Sequence, residues 1–242
     1  YRQRSQATQL LRRNLLILLR QPVFMMNTLL SLAVPCLLLL IAIFTGDLAL
    51  DLLVLPENRH RLALLFVGVT SAPALLVNLS ATAITREGPA FWETKVLPIG
   101  VWDNLRSRMW TTLLVNLFAS LLMGAVVYKL FQIEMAILLS GAFFVFMLTR
   151  VLATIDLLIN LYRPYLNWTN PAAAIKNNLN VLFSLALRPL FLGVPFLLSF
   201  QWPALGDDKV LYLSGSIFLV FHLLALNYLK DLMIRKFNQI VL

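Results

Sequence analysis

The residues best suited to specific chemistry are concentrated in residues 85–100, TREGPAFWETKVLPIG, between two long apolar runs. This stretch contains charges of both signs, two adjacent aromatic residues, a Gly-Pro step and a Leu-Pro step. Crossing a bilayer requires none of these features, whereas aromatic anchors flanked by charged groups are typical of protein interfaces. The stretch therefore indicates a binding site for a partner. Its candidate contact residues are Arg86, Glu87, Phe91, Trp92 and Lys95.

The sequence offers little that is suited to catalysis or metal binding. It contains no GxxxxGK[ST] phosphate loop and no HExxH, CxxC or GxSxG motif. The two histidines, His60 and His222, are far apart in the chain, which disfavours a multi-histidine metal site. We therefore expect no catalytic residue, no metal and no directly bound cofactor. A membrane enzyme acting on lipid is a less favoured alternative, with Glu87, Glu93 and Asp156 as its available acids.

The composition predicts an all-α polytopic membrane protein. The 242 residues are 60% hydrophobic and 13% charged, with a mean hydropathy of +0.82, whereas about 25% of the residues in a soluble domain are charged. The apolar runs are continuous and do not alternate, which favours helices over a transmembrane barrel. Six runs have the length of a membrane span. They cover residues 23–45, 62–84, 109–128, 135–155, 179–200 and 210–228.

The net charge is +9, and the distribution of the Lys and Arg residues between the loops predicts the orientation of the spans. With both termini in the cytoplasm, four of the 20 Lys and Arg residues lie in outer segments, two lie within spans and the other 14 lie inside. Basic residues collect on the cytoplasmic side of membrane proteins. The sequence shows no basic face with interleaved aromatic residues, so it does not indicate binding of nucleic acid. The prediction is a multi-pass membrane protein with both termini cytoplasmic.

Two kinds of segment flank the spans. Residues 1–21 have leucines at helical spacing on one face and predict an amphipathic interfacial helix; a helix packed on an upstream domain is the alternative. The six-span domain then covers residues 22–242, with cytoplasmic loops at 85–108 and 156–178. Both loops are expected to be structured, and simple interfacial anchoring is the alternative for each. The notable residues of the second loop are Arg163, Trp168 and Lys176.

Two motifs carry a family resemblance. They read R-E-G-x-x-F-W-x-x-K-x-L-P-I from Arg86 and R-P-x-L-x-W-T-N-P-x-x-A-x-K-x-N from Arg163. Together with six spans, they make the chain resemble permeases of the type-2 ATP-binding cassette exporter superfamily. The resemblance is closest to bacterial exporter permeases in which two six-span halves are fused, and this chain is similar to the C-terminal half.

The resemblance implies a permease subunit of the bacterial inner (plasma) membrane that exports a substrate while a separate subunit binds and hydrolyses ATP. Residues 85–100 would then hold the coupling helix that contacts the ATP-binding subunit, and residues 1–21 would be the elbow helix. The other expected partners are a second six-span half or permease and the membrane lipids. The sequence does not indicate the substrate.

One charge lies deep within a predicted span. Arg188, followed by Pro189, is about nine residues into the fifth span, and intramembrane ionisable groups are candidates for function. Arg188 and Pro189 are therefore assigned to a transport pathway; the alternative is that the span breaks there and leaves the arginine at the interface. We expect Pro189 and Pro195 to kink this helix. An ion-coupled transporter or a membrane scaffold is the alternative function, disfavoured because Arg188 has no acidic partner at a similar depth in the predicted topology.

Overall fold

The computed structural model describes residues 5–45, 59–176 and 178–240, and these residues form helices and no β-strand. Two short 3₁₀ helices, Ser80–Thr82 and Thr85–Ala90, follow α3. The α-helices are α1 Gln6–Arg20, α2 Pro22–Phe44, α3 Arg59–Leu76, α4 Phe91–Val96, α5 Val101–Phe131, α6 Met135–Tyr162, α7 Ala173–Lys176, α8 Leu179–Gln201 and α9 Asp207–Gln239.

Six of the described helices are long and apolar enough to cross a membrane: α2, α3, α5, α6, α8 and α9. The predicted all-α fold with six candidate membrane spans is therefore confirmed. The helices α5, α6 and α9 contain 31, 28 and 33 residues. At 1.5 Å of rise per residue they exceed the roughly 30 Å of the hydrocarbon core, so each extends beyond it.

The ends of four spans differ from the sequence prediction, and the last helix, α9, continues eleven residues beyond the predicted end at residue 228. The helix α3 ends at Leu76 and not near residue 84, and the chain continues through the two 3₁₀ helices. The helix α5 begins at Val101, eight residues before the predicted span, and α6 continues to Tyr162. Hydropathy missed the extensions of α5 and α6 because several of their polar side chains are buried rather than exposed in loops: Asn104, Arg108, Asp156 and Asn160.

The core is built around α6, which packs along α9 and against α3 and α5. Phe144, Leu148 and Val151 of α6 are almost completely buried in this cluster. Gly141 permits the close approach of α3, since a Cβ there would lie 2.6 Å from the ring of Phe66. By contrast, α2 and α8 leave most of their apolar side chains exposed, as expected for surfaces covered by lipid.

The fifth span is unbroken. The helix α8 is continuous from Leu179 to Gln201, with Pro189 and Pro195 inside it. The alternative in which this span breaks at Arg188-Pro189 is therefore wrong. Arg188 lies within the helix and is buried, with 3% of its surface exposed.

Three segments meet at one end of the bundle. Arg13 of α1 reaches Glu87 with an Nη2–Oε2 distance of 3.1 Å. Lys95 of α4 donates hydrogen bonds to the carbonyl oxygens of Asn238 and Ile240, at the C-terminal end of α9. The first described helix, the segment around α4 and the end of the last helix therefore share one end of the molecule. We call this the α4 end.

Candidate functional site

The backbone around α4 follows from its glycine and prolines. Gly88 adopts a φ of 53°, which side-chain-bearing residues rarely adopt, and Pro89 follows it. The helix α4 then runs from Phe91 to Val96, confirming the short helix predicted for this loop. Leu97 is extended because the residue before a proline is driven out of the helical region.

A buried carboxylate ties this segment to two other helices. Glu87 accepts hydrogen bonds from Arg108 Nη2 of α5 at 2.5 Å and from Arg13 Nη2 of α1 at 3.1 Å. Thr94 of α4 also donates to Glu87. The side chains of Glu87 and Arg108 are each 2% exposed. We call Glu87, Arg13, Thr94 and Arg108 the Glu87 cluster.

Arg86 makes no hydrogen bond to this carboxylate in the described structure. Its Nη1 donates to Thr82 Oγ1 at 2.9 Å, and the residue is buried. It lines a small polar cavity that Asn27 and Asn78 also line. Within the described part of the chain Arg86 makes no ion pair with a carboxylate.

The inner face of α4 is fixed against the last helix. Phe91 is completely buried and meets the ring of Phe237 edge-on, with the ring centroids 5.4 Å apart. Lys95 lies over the same ring, with Nζ 5.9 Å from its centroid. The charged end of Lys95 is occupied by the two carbonyl oxygens at the end of α9.

The outer face of α4 exposes two apolar side chains, Trp92 and Val96, beside the carboxylate Glu93. Trp92 is 52% exposed and Val96 69%, and Leu97 is also exposed. We call Trp92, Val96 and Leu97 the α4 edge. The five predicted contact residues are close together, but only Trp92 belongs to this edge. The expected surface role of Arg86, Glu87 and Phe91 must therefore be revised to one of support, because all three are buried.

The second predicted loop covers the first. Trp168 Nε1 donates to the carbonyl oxygen of Thr85 at 2.6 Å. The ring packs so closely on Gly88 that a Cβ there would lie 2.6 Å from it. The same ring meets Phe24 of α2 edge-on at 6.1 Å. Arg163 and Lys176, the other two candidates of this loop, are exposed.

Asn160 of α6 also holds the first loop, and the sequence analysis did not identify it. Its Oδ1 accepts from the backbone N–H of Ile84 at 2.7 Å, and its Nδ2 donates to Thr85 Oγ1 at 2.8 Å. Arg13, Thr94 and Arg108 were likewise missed. Nothing in the local sequence marks these residues, because each is defined by a partner in another element.

The second polar site lies within the spans. Arg188 Nη2 of α8 donates to Asp156 Oδ2 of α6 at 2.7 Å, and Ser184 donates to the other carboxylate oxygen at 2.5 Å. The prediction that Arg188 lacks an acidic partner is wrong. Asp156 had been assigned to a loop, whereas it lies in α6 and is buried. Arg188 Nε and Nη1 are buried and have no hydrogen-bond partner among the described residues.

Comparisons with known proteins give no match: no family, no curated protein and no solved structure is similar to this chain. Within the described residues, no three His, Cys, Asp or Glu side chains are grouped so that they could hold a metal ion.

Proposed function

We propose that this chain is a membrane-spanning permease subunit of an ATP-driven exporter, and that a separate ATP-binding subunit docks on the α4 edge. One observation carries the proposal. Trp92, Val96 and Leu97 form an exposed apolar edge on a short helix whose other face is locked into the bundle. Aromatic residues on a rigid support are typical anchors of a protein interface.

The contacts behind α4 suit it to transmit movement. Through Glu87, α4 is connected to α1 and α5, and through Phe91 and Lys95 it is connected to α9. A partner that binds two arrangements of α4 with different affinity would shift the spans between two states. In this proposal the α4 end faces the cytoplasm, consistent with the excess of basic residues there, and α1 lies in the membrane interface as an elbow helix.

The test compares two tryptophans of similar exposure. Trp92 is 52% exposed at the α4 end, and Trp202 is 50% exposed at the C-terminal end of α8. The partner is a P-loop ATPase sought among the reading frames next to this gene. Trp92→Ala should reduce its co-purification at least tenfold, as expected for an interface hot spot. Trp202→Ala should leave it unchanged. Equal retention of the ATPase by both variants would overturn the docking role of α4.

A second candidate function is an ion-coupled carrier, and the Asp156–Arg188 pair favours it. Such carriers hold ionisable groups within the spans, and this pair is buried between α6 and α8. Arg188 and Pro189 would then lie on the transport pathway. In vesicles without ATP, this candidate predicts uptake driven by an ion gradient and lost in Asp156→Asn. The exporter instead requires ATP and the α4 edge.

A further inference from the structure

A cavity of about 50 Å³ lies between α5, α6 and α9 and belongs to neither site described above. Its lining combines basic and aromatic side chains. The residues that matter here are Trp102, Arg106, Trp110, Arg150, Thr154 and His222. Trp102 also packs against the apolar cluster that contains Phe91 and Phe237, so the cavity adjoins the α4 end.

The guanidinium of Arg150 is held in place and directed at this cavity. Its Nε and Nη2 lie 3.1 and 2.9 Å from His222 Nε2. Because His222 Nε2 accepts these hydrogen bonds, the imidazole is neutral with its proton on Nδ1, which lies 3.4 Å from Thr154 Oγ1. The same guanidinium lies over the rings of Trp110 at 5.5 Å and Phe146 at 5.8 Å. Among the described residues, Nη1 of Arg150 has no hydrogen-bond partner and can donate to a ligand.

The positive charge of the cavity is not neutralised. Among the described residues, neither Arg106 nor Arg150 makes an ion pair with a carboxylate. No Asp or Glu in the described part of the chain lines the cavity. Lys230, just outside it, adds another positive charge, with its Nζ 5.6 Å from the centroid of the Trp102 ring. A partly buried cation that lacks a counter-charge is costly, so an anion entering between Arg106 and Arg150 would be stabilised.

The depth of the cavity matches the level of lipid headgroups. At 1.5 Å per residue, Trp110 lies about 30 Å from the far end of α5, and Arg150 lies about 22 Å from the far end of α6. Trp110 thus falls near the boundary of a hydrocarbon core about 30 Å thick, where tryptophan is enriched. Arg150 starts inside that boundary and extends to Trp110, as a snorkelling arginine does.

We propose that this cavity binds a phosphate group, with Arg106 and Arg150 as its donors and Trp110 and His222 holding Arg150 in position. A phosphate can come from an anionic lipid headgroup or from a soluble phosphate. The depth of Arg150 and the exposed side of Trp110 fit the lipid. The site does not depend on a transport role, and its test measures binding alone.

The experiment measures binding of phosphatidylglycerol to the purified full chain in detergent by native mass spectrometry. The variant is Arg106→Gln combined with Arg150→Gln. The control, Arg61→Gln combined with Arg235→Gln, removes the same charge from two exposed arginines that do not line the cavity. We expect about tenfold weaker binding in the cavity variant, because hydrogen bonds to charged groups are lost, and less than twofold weakening in the control.

A single variant, Arg106→Gln, controls for misfolding of the double variant. Arg106 is exposed and makes no hydrogen bond or ion pair within the described structure, so Arg106→Gln should fold normally and still weaken binding about threefold. Inorganic phosphate at millimolar concentration serves as competitor. Failure to displace the lipid supports the headgroup as the source, whereas displacement supports the phosphate site and assigns it to a soluble ligand. Binding by Arg106→Gln and by the double variant equal to that of the control would overturn the site.

Discussion

Two buried carboxylates in this protein hold arginines in contrasting ways. Glu87 joins three segments that are far apart in the sequence, α1, the 3₁₀ turn and α5, and both of its oxygens are occupied by an arginine. Asp156 joins only two helices, α6 and α8, through one arginine and one serine. The helix α8 is otherwise largely exposed, whereas α4 is held on its whole inner face.

We therefore distinguish a rigid support, the Glu87 cluster, from a latch, the Asp156–Arg188 pair, which is a contact that can be released. The Glu87 cluster has several redundant contacts that fix one arrangement of the α4 end. The Asp156–Arg188 pair is the one ion pair of α8 among the described residues, and Arg188 keeps two buried donors unused. The other contacts of this helix are weaker: Asn180 donates to the carbonyl oxygen of Arg163, and Phe191 packs on the rings of Phe218 and Phe221. A helix with one ion pair and few other polar contacts moves more readily when that ion pair is released, so we expect conformational change at α8 before it occurs at α4.

The largest expected effect is the loss of the Glu87 carboxylate. Glu87→Gln leaves Arg108 buried without a counter-charge and should lower the free energy of unfolding by about 3–5 kcal/mol. Equilibrium unfolding of the full chain in detergent measures this change. Glu93→Gln is the matched control, because Glu93 is exposed on the neighbouring helix α4. A loss no greater than that of the control would contradict the supporting role of the cluster.

Gly88→Ala tests the same support through the backbone. Gly88 has a φ of 53°, and a Cβ there would lie 2.6 Å from the Trp168 ring. Backbone strain and displacement of the indole should together destabilise the protein by about 3 kcal/mol. Gly68→Ala is the comparison, since nothing lies within 4 Å of its added Cβ; it should be neutral or slightly stabilising. Similar melting temperatures for the two variants would show that the α4 end tolerates rearrangement.

Asp156→Asn tests the latch. It should lower the free energy of unfolding by about 2 kcal/mol, less than Glu87→Gln does, because one ion pair is lost and α8 can move to hydrate Arg188. The expected signature is local: hydrogen exchange should quicken in α8 and not in α4. Asp156→Leu combined with Arg188→Met should recover most of the stability, as apolar replacements of buried ion pairs do. Faster exchange that spread equally to α4 would remove the distinction between the two sites.

The sequence predicted what depends on local composition. Six spans follow from continuous apolar runs, and α4 follows from Gly88-Pro89 before it and Pro98 after it. The Glu87 cluster and the Asp156–Arg188 pair could not be predicted, because they depend on contacts between residues of different helices. Arg108 was assigned to a loop, and Asp156 was placed one residue beyond the end of a predicted span, yet both are buried in helices. A polar residue near a span end gives the same hydropathy signal whether it faces water or a buried partner.

The smallest expected effect is at the α4 edge, and it separates function from stability. Trp92 is exposed and makes no hydrogen bond or ring contact among the described residues, so Trp92→Ala should change the free energy of unfolding by no more than about 0.5 kcal/mol. Trp202→Ala should behave alike in the same unfolding assay. A loss of ATPase binding without a loss of stability would therefore belong to the exposed edge. A loss of 2 kcal/mol or more would instead place Trp92 with Glu87 among the supporting residues, and the outer face of α4 would no longer differ from its inner face.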